Sequence, residues 1–369
     1  MGVNREGILY YHNLIDELID NGIVPFVTLF HWDLPQYLED SYGGFLSPQI
    51  VEDFRVYADL CFEVYGEKVK HWITLNEPLS YSVGGYVTGE FAPGRCSQWQ
   101  ELGCTGGDSA TEPYLVSHHQ LLAHAAVVHL YRHKYQASQQ GVIGIALVSQ
   151  WAVPVSTEIS HRNAAARALD FALGWFMDPI THGDYPYTMR SLVGDRLPKF
   201  SCEESQMLNG SFDFIGLNYY TACYAADAPL LRNATPNYST DSLVNLTVES
   251  NGTLIGPKAA SNWLYVYPRG FYELLMYIKR KYNNPSIYIT ENDATSIFTF
   301  PGVDEANDNE LKGANVKGYF AWSLLDNFEW SNGYTVRFGI NYVDYSNGLK
   351  RYPKFSASWF KRFLQKHPS

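Results

Sequence analysis

The sequence predicts an α/β protein built as an incomplete TIM (β/α)8 barrel, one partial barrel domain over residues 1–369. Three observations lead there. Buried-type strands alternate with amphipathic helices, the pattern of a parallel sheet with helical crossovers. The polar residues suited to chemistry fall at strand C-terminal ends, the face where such barrels keep their sites. A length of 369 residues with 46% hydrophobic content suits one barrel with insertions.

The elements follow in order. From Glu6 to Asn21, Ile8, Tyr11, Ile15, Leu18 and Ile19 recur at helical spacing, and Gly22 suits the C-terminal cap. Ile23 to Phe30 is a nearly continuous apolar run, as expected of a strand buried on both faces, and it ends in His31-Trp32-Asp33. A helix from roughly Gln49 to Tyr65 sets Ile50, Phe54, Tyr57, Leu60, Cys61 and Val64 on one stripe, where Cys61 should stay reduced. The β-branched and aromatic run Val69 to Thr74 makes the next strand, which stops at Asn76-Glu77 because Pro78 ends the pairing. A helix over about Glu112 to Tyr135, a strand over Val142 to Val148 and a helix over Arg162 to Met177 come next. The strand Phe212 to Tyr220 ends in Asn218-Tyr219-Tyr220, and Ala225 to Lys258, which has no period, reads as a surface insertion. A helix over Phe271 to Tyr282 leads to the strand Ile287-Tyr288-Ile289-Thr290, which runs into Glu291-Asn292. Val316 to Ser323 is the last strand, and the last helix, Phe355 to Gln365, turns Trp359, Phe360 and Phe363 inward. Only six barrel strands are counted where a barrel needs eight, and the stretch between Asn292 and Val316 lacks the period of a crossover helix.

Composition excludes several classes of function. A net charge of −11 opposes a nucleic-acid partner. No apolar run approaches the ~18 residues of a membrane span. His129 and His133 stand four apart, but no third ligand or Glu completes a metal motif, so neither metal nor cofactor is expected. Aromatic residues make up 15%, with 28 Tyr and 9 Trp, a wealth that suits stacking on sugar faces. Cys96 and Cys104 flank a short polar loop that one local bridge could close. Five sequons begin at Asn209, Asn233, Asn237, Asn245 and Asn251; their density hints at the secretory pathway, although Met1-Gly-Val-Asn-Arg-Glu is no signal peptide.

The pattern richest in chemistry is a pair of strand tips, each carrying Glu beside Asn: Asn76-Glu77 and Glu291-Asn292. Two carboxylates at equivalent strand ends form a candidate acid and nucleophile for cleaving a glycosidic bond.

His31-Trp32-Asp33, Thr74-Leu75-Asn76-Glu77-Pro78, Asn218-Tyr219-Tyr220-Thr221, Ile289-Thr290-Glu291-Asn292 and the run Ala321 to Trp330 closely resemble glycoside hydrolase family 1. Phe91-Ala92-Pro93-Gly94-Arg95-Cys96 with Cys104 resembles the disulfide loop of its plant β-glucosidase branch. The resemblance implies a β-glucosidase with Glu77 as general acid/base and Glu291 as nucleophile, acting on a small β-glucoside or oligosaccharide in the extracellular or vacuolar space. It implies that Tyr220 donates to Glu291 and that Asn218 belongs to the same site. Asn76 would hold the sugar 2-hydroxyl; His31, Glu329 and Trp330 would bind the outer hydroxyls. Trp322 would be the platform under the ring, with Trp263 and Phe338 at the aglycone entrance.

Departures from the family pattern carry a second expectation. The strands match the family's third to eighth, and the regions that supply a sugar-binding Gln and an Arg beside the nucleophile have no counterpart. Asp293 to Pro301 looks inserted, and a helix looks deleted between Glu310 and Leu311, as between strands seven and eight of the barrel. The alternative to an enzyme is therefore an inactive truncated remnant that at most binds sugar weakly.

Overall fold

The computed structural model describes residues 2–292 and 313–366. The expected insertion at 293–301 and the expected deletion after Glu310 lie outside these residues. The chain forms two compact units, Met1–Leu147 with Trp175–Gly216, and Val148–Gly174 with Leu217–Ser369.

In the first unit, Asn4 caps the helix Arg5–Asp20 by accepting from the N–H groups of Glu6 and Gly7. Of the expected apolar face only Ile15 is buried, and Tyr11 and Ile19 are exposed. The following strand is Phe26–Phe30, shorter than the apolar run, because Pro25 cannot donate to a ladder and Ile23 and Val24 stay exposed before it. It pairs in parallel with His71–Asn76, which pairs in parallel with Val142–Val148. The helices Gln49–Tyr65 and Glu112–Leu130 pack on this sheet. Between them Phe62 stands edge-on to Trp72 at 5.0 Å and meets Tyr131 at 4.8 Å. The buried stripe of the first of these helices runs through Ile50, Phe54, Ala58, Cys61 and Phe62, so Tyr57 is left exposed and Phe62 takes the central place. Cys61 is a free, buried thiol, and Cys96 and Cys104 are bridged. Beyond Leu130 the helix continues as a π-turn over Tyr131–Tyr135, a change of period that residue spacing did not reveal. His129 and His133 stack at 3.9 Å, and His133 Nδ1 lies 2.8 Å from the His129 carbonyl oxygen.

In the second unit the strand Ile287–Asn292 pairs in parallel with Val316–Tyr319. The strand Phe214–Tyr219 straddles the division between the units. The region expected as a formless insertion contributes real structure: Ala222–Asp227 sits between Trp151–Pro154 and Val244–Thr247 in a three-stranded sheet. Arg167, from the helix Ile159–Leu169, holds that sheet through Asp227 at 2.5 Å and the Ser242 carbonyl at 3.0 Å. The hairpin Asn341–Asp344 with Lys350–Pro353 precedes the final helix Phe355–Lys366, in which Trp359, Phe360 and Phe363 are half-buried.

Candidate active site

Glu77 stands one residue beyond the strand His71–Asn76, as N-cap of the helix Pro78–Tyr86. Pairing with the neighbouring strand slips between Ile73 and Asn76, where Ile73 faces Gly144 but Asn76 faces Ala146. One extra residue in a strand bends it and re-aims the side chains at its end. The Glu77 N–H donates to the Ala146 carbonyl at 2.9 Å, and its backbone is left-handed at φ 42°, ψ 61°. A residue with a Cβ holds that conformation only where its surroundings impose it. Its side chain is buried, and Ser80 Oγ donates to Oε2 at 2.6 Å.

Asn76 Nδ2 lies 2.9 Å from His31 Nε2, and the Asn76 carbonyl accepts from Trp32 Nε1 at 2.9 Å. Burial lowers the His31 pKa against the opposing field of Asp33, so the neutral ring nitrogen accepts from the amide. Behind the strand, Thr74 Oγ1 is 2.7 Å from His124 Nδ1, and burial pushes the His124 pKa down to about 3. Gln120 Nε2 donates to the Pro78 carbonyl at 3.2 Å and to Ser82 Oγ at 2.8 Å, pinning the start of the helix that follows Glu77.

In the second unit, Glu291 is the penultimate residue of the strand Ile287–Asn292 and is buried; Tyr220 Oη donates to its Oε2 at 2.7 Å. The ring of Tyr220 stands edge-on to Trp263 at 5.7 Å and to Phe338 at 6.3 Å, so both expected entrance residues also pack on the residue that donates to Glu291. Thr290 Oγ1 donates to Asn218 Oδ1 at 2.5 Å, and Asn292 Nδ2 donates to the Tyr219 carbonyl at 2.5 Å. Asn218 has no exposed surface, and its bond with Thr290 ties the neighbouring strand ends together. The Trp322 N–H donates to the Asn292 carbonyl at 2.9 Å, and Trp322 Nε1 reaches Glu329 Oε2 at 3.5 Å. Glu329 is buried, and Trp330 is 37% exposed with a left-handed backbone at φ 50°.

The model for glycosyl hydrolase family 1 matches residues 1–368. The chain belongs to this family. As a family member it is a glycosidase. It is 58% identical to Beta-glucosidase 24 of Oryza sativa subsp. japonica, over 98% of this chain and 76% of that protein. A crystal structure of a rice beta-glucosidase superposes with a TM-score of 0.95 at 46% identity, over 98% of this chain and 80% of that one. A variant of a rice beta-glucosidase in a covalent complex with Glc superposes with a TM-score of 0.92 at 46% identity, over 98% and 80% of the two chains. The α/β class expected from the sequence is shared with these solved enzymes.

Two features of this family member were not visible in the sequence. Ser80 is one; its only signal was its place three residues after Glu77. The other is Asp326, which reads as one more acid in Leu325-Asp326-Asn327. It is buried and accepts from Arg337 Nη1 at 2.9 Å, Lys354 Nζ at 2.8 Å, and the N–H groups of Gly339 at 3.0 Å and Val343 at 3.2 Å. It thereby fixes the segment that carries Trp322, Glu329 and Trp330. Burial alone would raise its pKa, but the bonds from Lys354, Arg337 and Val343 outweigh burial and hold it below the ordinary value. Asp326→Asn is expected to destabilise the protein by about 3–5 kcal/mol at neutral pH, since it leaves two cations facing a neutral amide. A carboxylate with a depressed folded pKa contributes fully above its unfolded pKa of about 3.9 and loses that contribution as pH falls through the folded value. Urea unfolding of both forms should therefore show a gap that is constant near neutrality and closes under acid conditions.

The sequons divide as well. Asn209, Asn233, Asn245 and Asn251 are exposed. Asn237 is buried, and its Oδ1 accepts from the Ser239 N–H at 2.5 Å as the cap of the turn Tyr238–Asp241.

Proposed function

We propose that the protein hydrolyses terminal non-reducing β-D-glucosyl residues from β-glucosides with retention of anomeric configuration. The observation that carries this is the treatment of the two strand-end glutamates: each is buried, and each carboxylate accepts from a hydroxyl group at 2.6–2.7 Å. In the first step Glu291 attacks the anomeric carbon as Glu77 gives its proton to the departing oxygen. In the second, Glu77 takes a proton from water, which displaces Glu291 and releases glucose. Retention by this route requires carboxyl groups about 5–5.5 Å apart, whereas inversion needs about 6.5–9.5 Å.

Asn76, oriented by His31, would hold the sugar 2-hydroxyl, and Glu329 and Trp330 the outer hydroxyls above the Trp322 platform. Trp263 and Phe338 would meet the aglycone. The parallel strands are proposed as part of a (β/α)8 barrel, the fold expected from the family resemblance. The relatives' identities and the four exposed sequons support a secretory-pathway enzyme, extracellular or vacuolar; among the described residues no helix is long and apolar enough to cross a membrane.

The test is proton NMR of the purified protein with p-nitrophenyl β-D-glucoside, following the first anomer of free glucose. The β-anomer is expected before mutarotation. First release of the α-anomer would refute retention, and binding without turnover would identify the sugar-binding remnant instead.

A further inference from the structure

We infer that Ser80 is a positioning residue that orients the Glu77 carboxyl group and tunes its proton affinity. The inference rests on the assignment of Glu77 as acid/base.

The helix Pro78–Tyr86 begins directly after Glu77, which makes Glu77 the N-cap and Ser80 the third helical residue. A short N-cap side chain, Asp, Asn, Ser or Thr, ordinarily accepts from the backbone N–H of the second or third helical residue. Glu77 makes no such capping bond. Its backbone is left-handed, and the contact to the third residue is made by the hydroxyl, Ser80 Oγ to Oε2 at 2.6 Å. The carboxylate is thus held at the helix start by a side chain that can be replaced without breaking the helix.

The chemistry explains what such a hydroxyl does. Burial favours the protonated acid, while the serine hydroxyl and the positive end of the helix favour the carboxylate. An acid/base must pass through both forms in each turnover. When Glu77 gives its proton to the leaving oxygen, a carboxylate remains in a buried site, and Ser80 stabilises it in place. When that carboxylate accepts a proton from water, the same bond keeps it aimed. Loss of the hydroxyl therefore raises the Glu77 pKa and loosens its orientation.

Three measurements on Ser80→Ala test this. The basic limb of the kcat/KM profile, which reports the acid in the free enzyme, should move up by about one pH unit. The loss in kcat/KM should be about tenfold for an alkyl β-glucoside, whose leaving group needs protonation, and slight for 2,4-dinitrophenyl β-glucoside, whose leaving group does not. Ser80→Thr, which keeps the hydroxyl, should restore both. If the alanine form does not fold, Ser80→Cys, near in shape but a weak donor, should show the same displacement in smaller measure. An unmoved basic limb and an even loss on both substrates would overturn the role of Ser80. Glu77→Gln separates that failure from a failure of the assignment: it should abolish the basic limb, and its retention would show that another group is the acid.

Discussion

Glu291→Gln is expected to leave almost no turnover of p-nitrophenyl β-D-glucoside, a loss on the order of 10⁴–10⁶ in kcat, the scale on which deleting a member of a covalent catalytic unit acts. An amide of nearly the same shape keeps the site filled but has no charge with which to attack the anomeric carbon. Tyr220 Oη, which donates to Glu291 Oε2 at 2.7 Å, can still donate to the amide oxygen, so the fold around the strand end should persist. Sugar binding should survive because the contacts assigned to Asn76, Glu329 and Trp322 are untouched. Initial rates and a glucose titration on the same preparation check both halves. A loss of less than about tenfold would show that the nucleophile lies elsewhere, since it would barely exceed the worth of one hydrogen bond.

Glu77→Gln is expected to have the second largest effect, and one that depends on the substrate. With an alkyl β-glucoside, whose leaving oxygen must be protonated, the loss should reach about 10²–10⁴-fold. With 2,4-dinitrophenyl β-glucoside the first step needs little acid help, but the second still needs a base. The glycosyl-enzyme should then accumulate, and dinitrophenolate should appear in a burst equal to the amount of enzyme, followed by a slow steady rate. Stopped-flow absorbance measures this directly. Equal losses on both substrates with no burst would indicate that Glu77 supports the structure without transferring a proton.

Both glutamates were legible in the sequence for a local reason. Each lies at the end of a short β-branched or aromatic run, and the run, the carboxylate and the adjoining Asn are covalent neighbours, so no knowledge of packing was needed. The strand boundaries were less legible where covalent and tertiary effects compete. Ile23 and Val24 look like strand but precede Pro25, and they remain exposed. The helix Gln49–Tyr65 was placed correctly, yet its buried stripe turned toward Ala58 and Phe62, because the sheet beneath supplied Trp72 as the partner. Ala222–Asp227 and Val244–Thr247 escaped notice because each is short and contains polar residues. Their stability comes from pairing with Trp151–Pro154 and from Arg167, both remote in sequence. Asp326 is the clearest case of this kind. An acid surrounded by Leu, Asn and Phe has no mark of burial until Arg337, Lys354 and two backbone N–H groups converge on it.

Ser80 shows the opposite limit. It was three residues from Glu77 and within reach of inspection, but helical spacing alone would have made it a backbone-capping partner. The left-handed backbone of Glu77 decides otherwise, and a dihedral angle of that kind on a non-glycine residue leaves no trace in composition.

The most direct measurement is covalent trapping of the nucleophile. The protein is incubated with 2,4-dinitrophenyl 2-deoxy-2-fluoro-β-D-glucoside, whose fluorine slows both steps while its leaving group keeps the first one faster. Intact mass spectrometry should show one added fluoroglucosyl group per chain, and fragmentation should place it on Glu291 in the peptide containing Ile287-Tyr288-Ile289-Thr290-Glu291-Asn292. A chain that turns over the unfluorinated glucoside yet gains no mass, or carries the label on Glu77 or any other residue, would contradict the assignment of Glu291 as nucleophile.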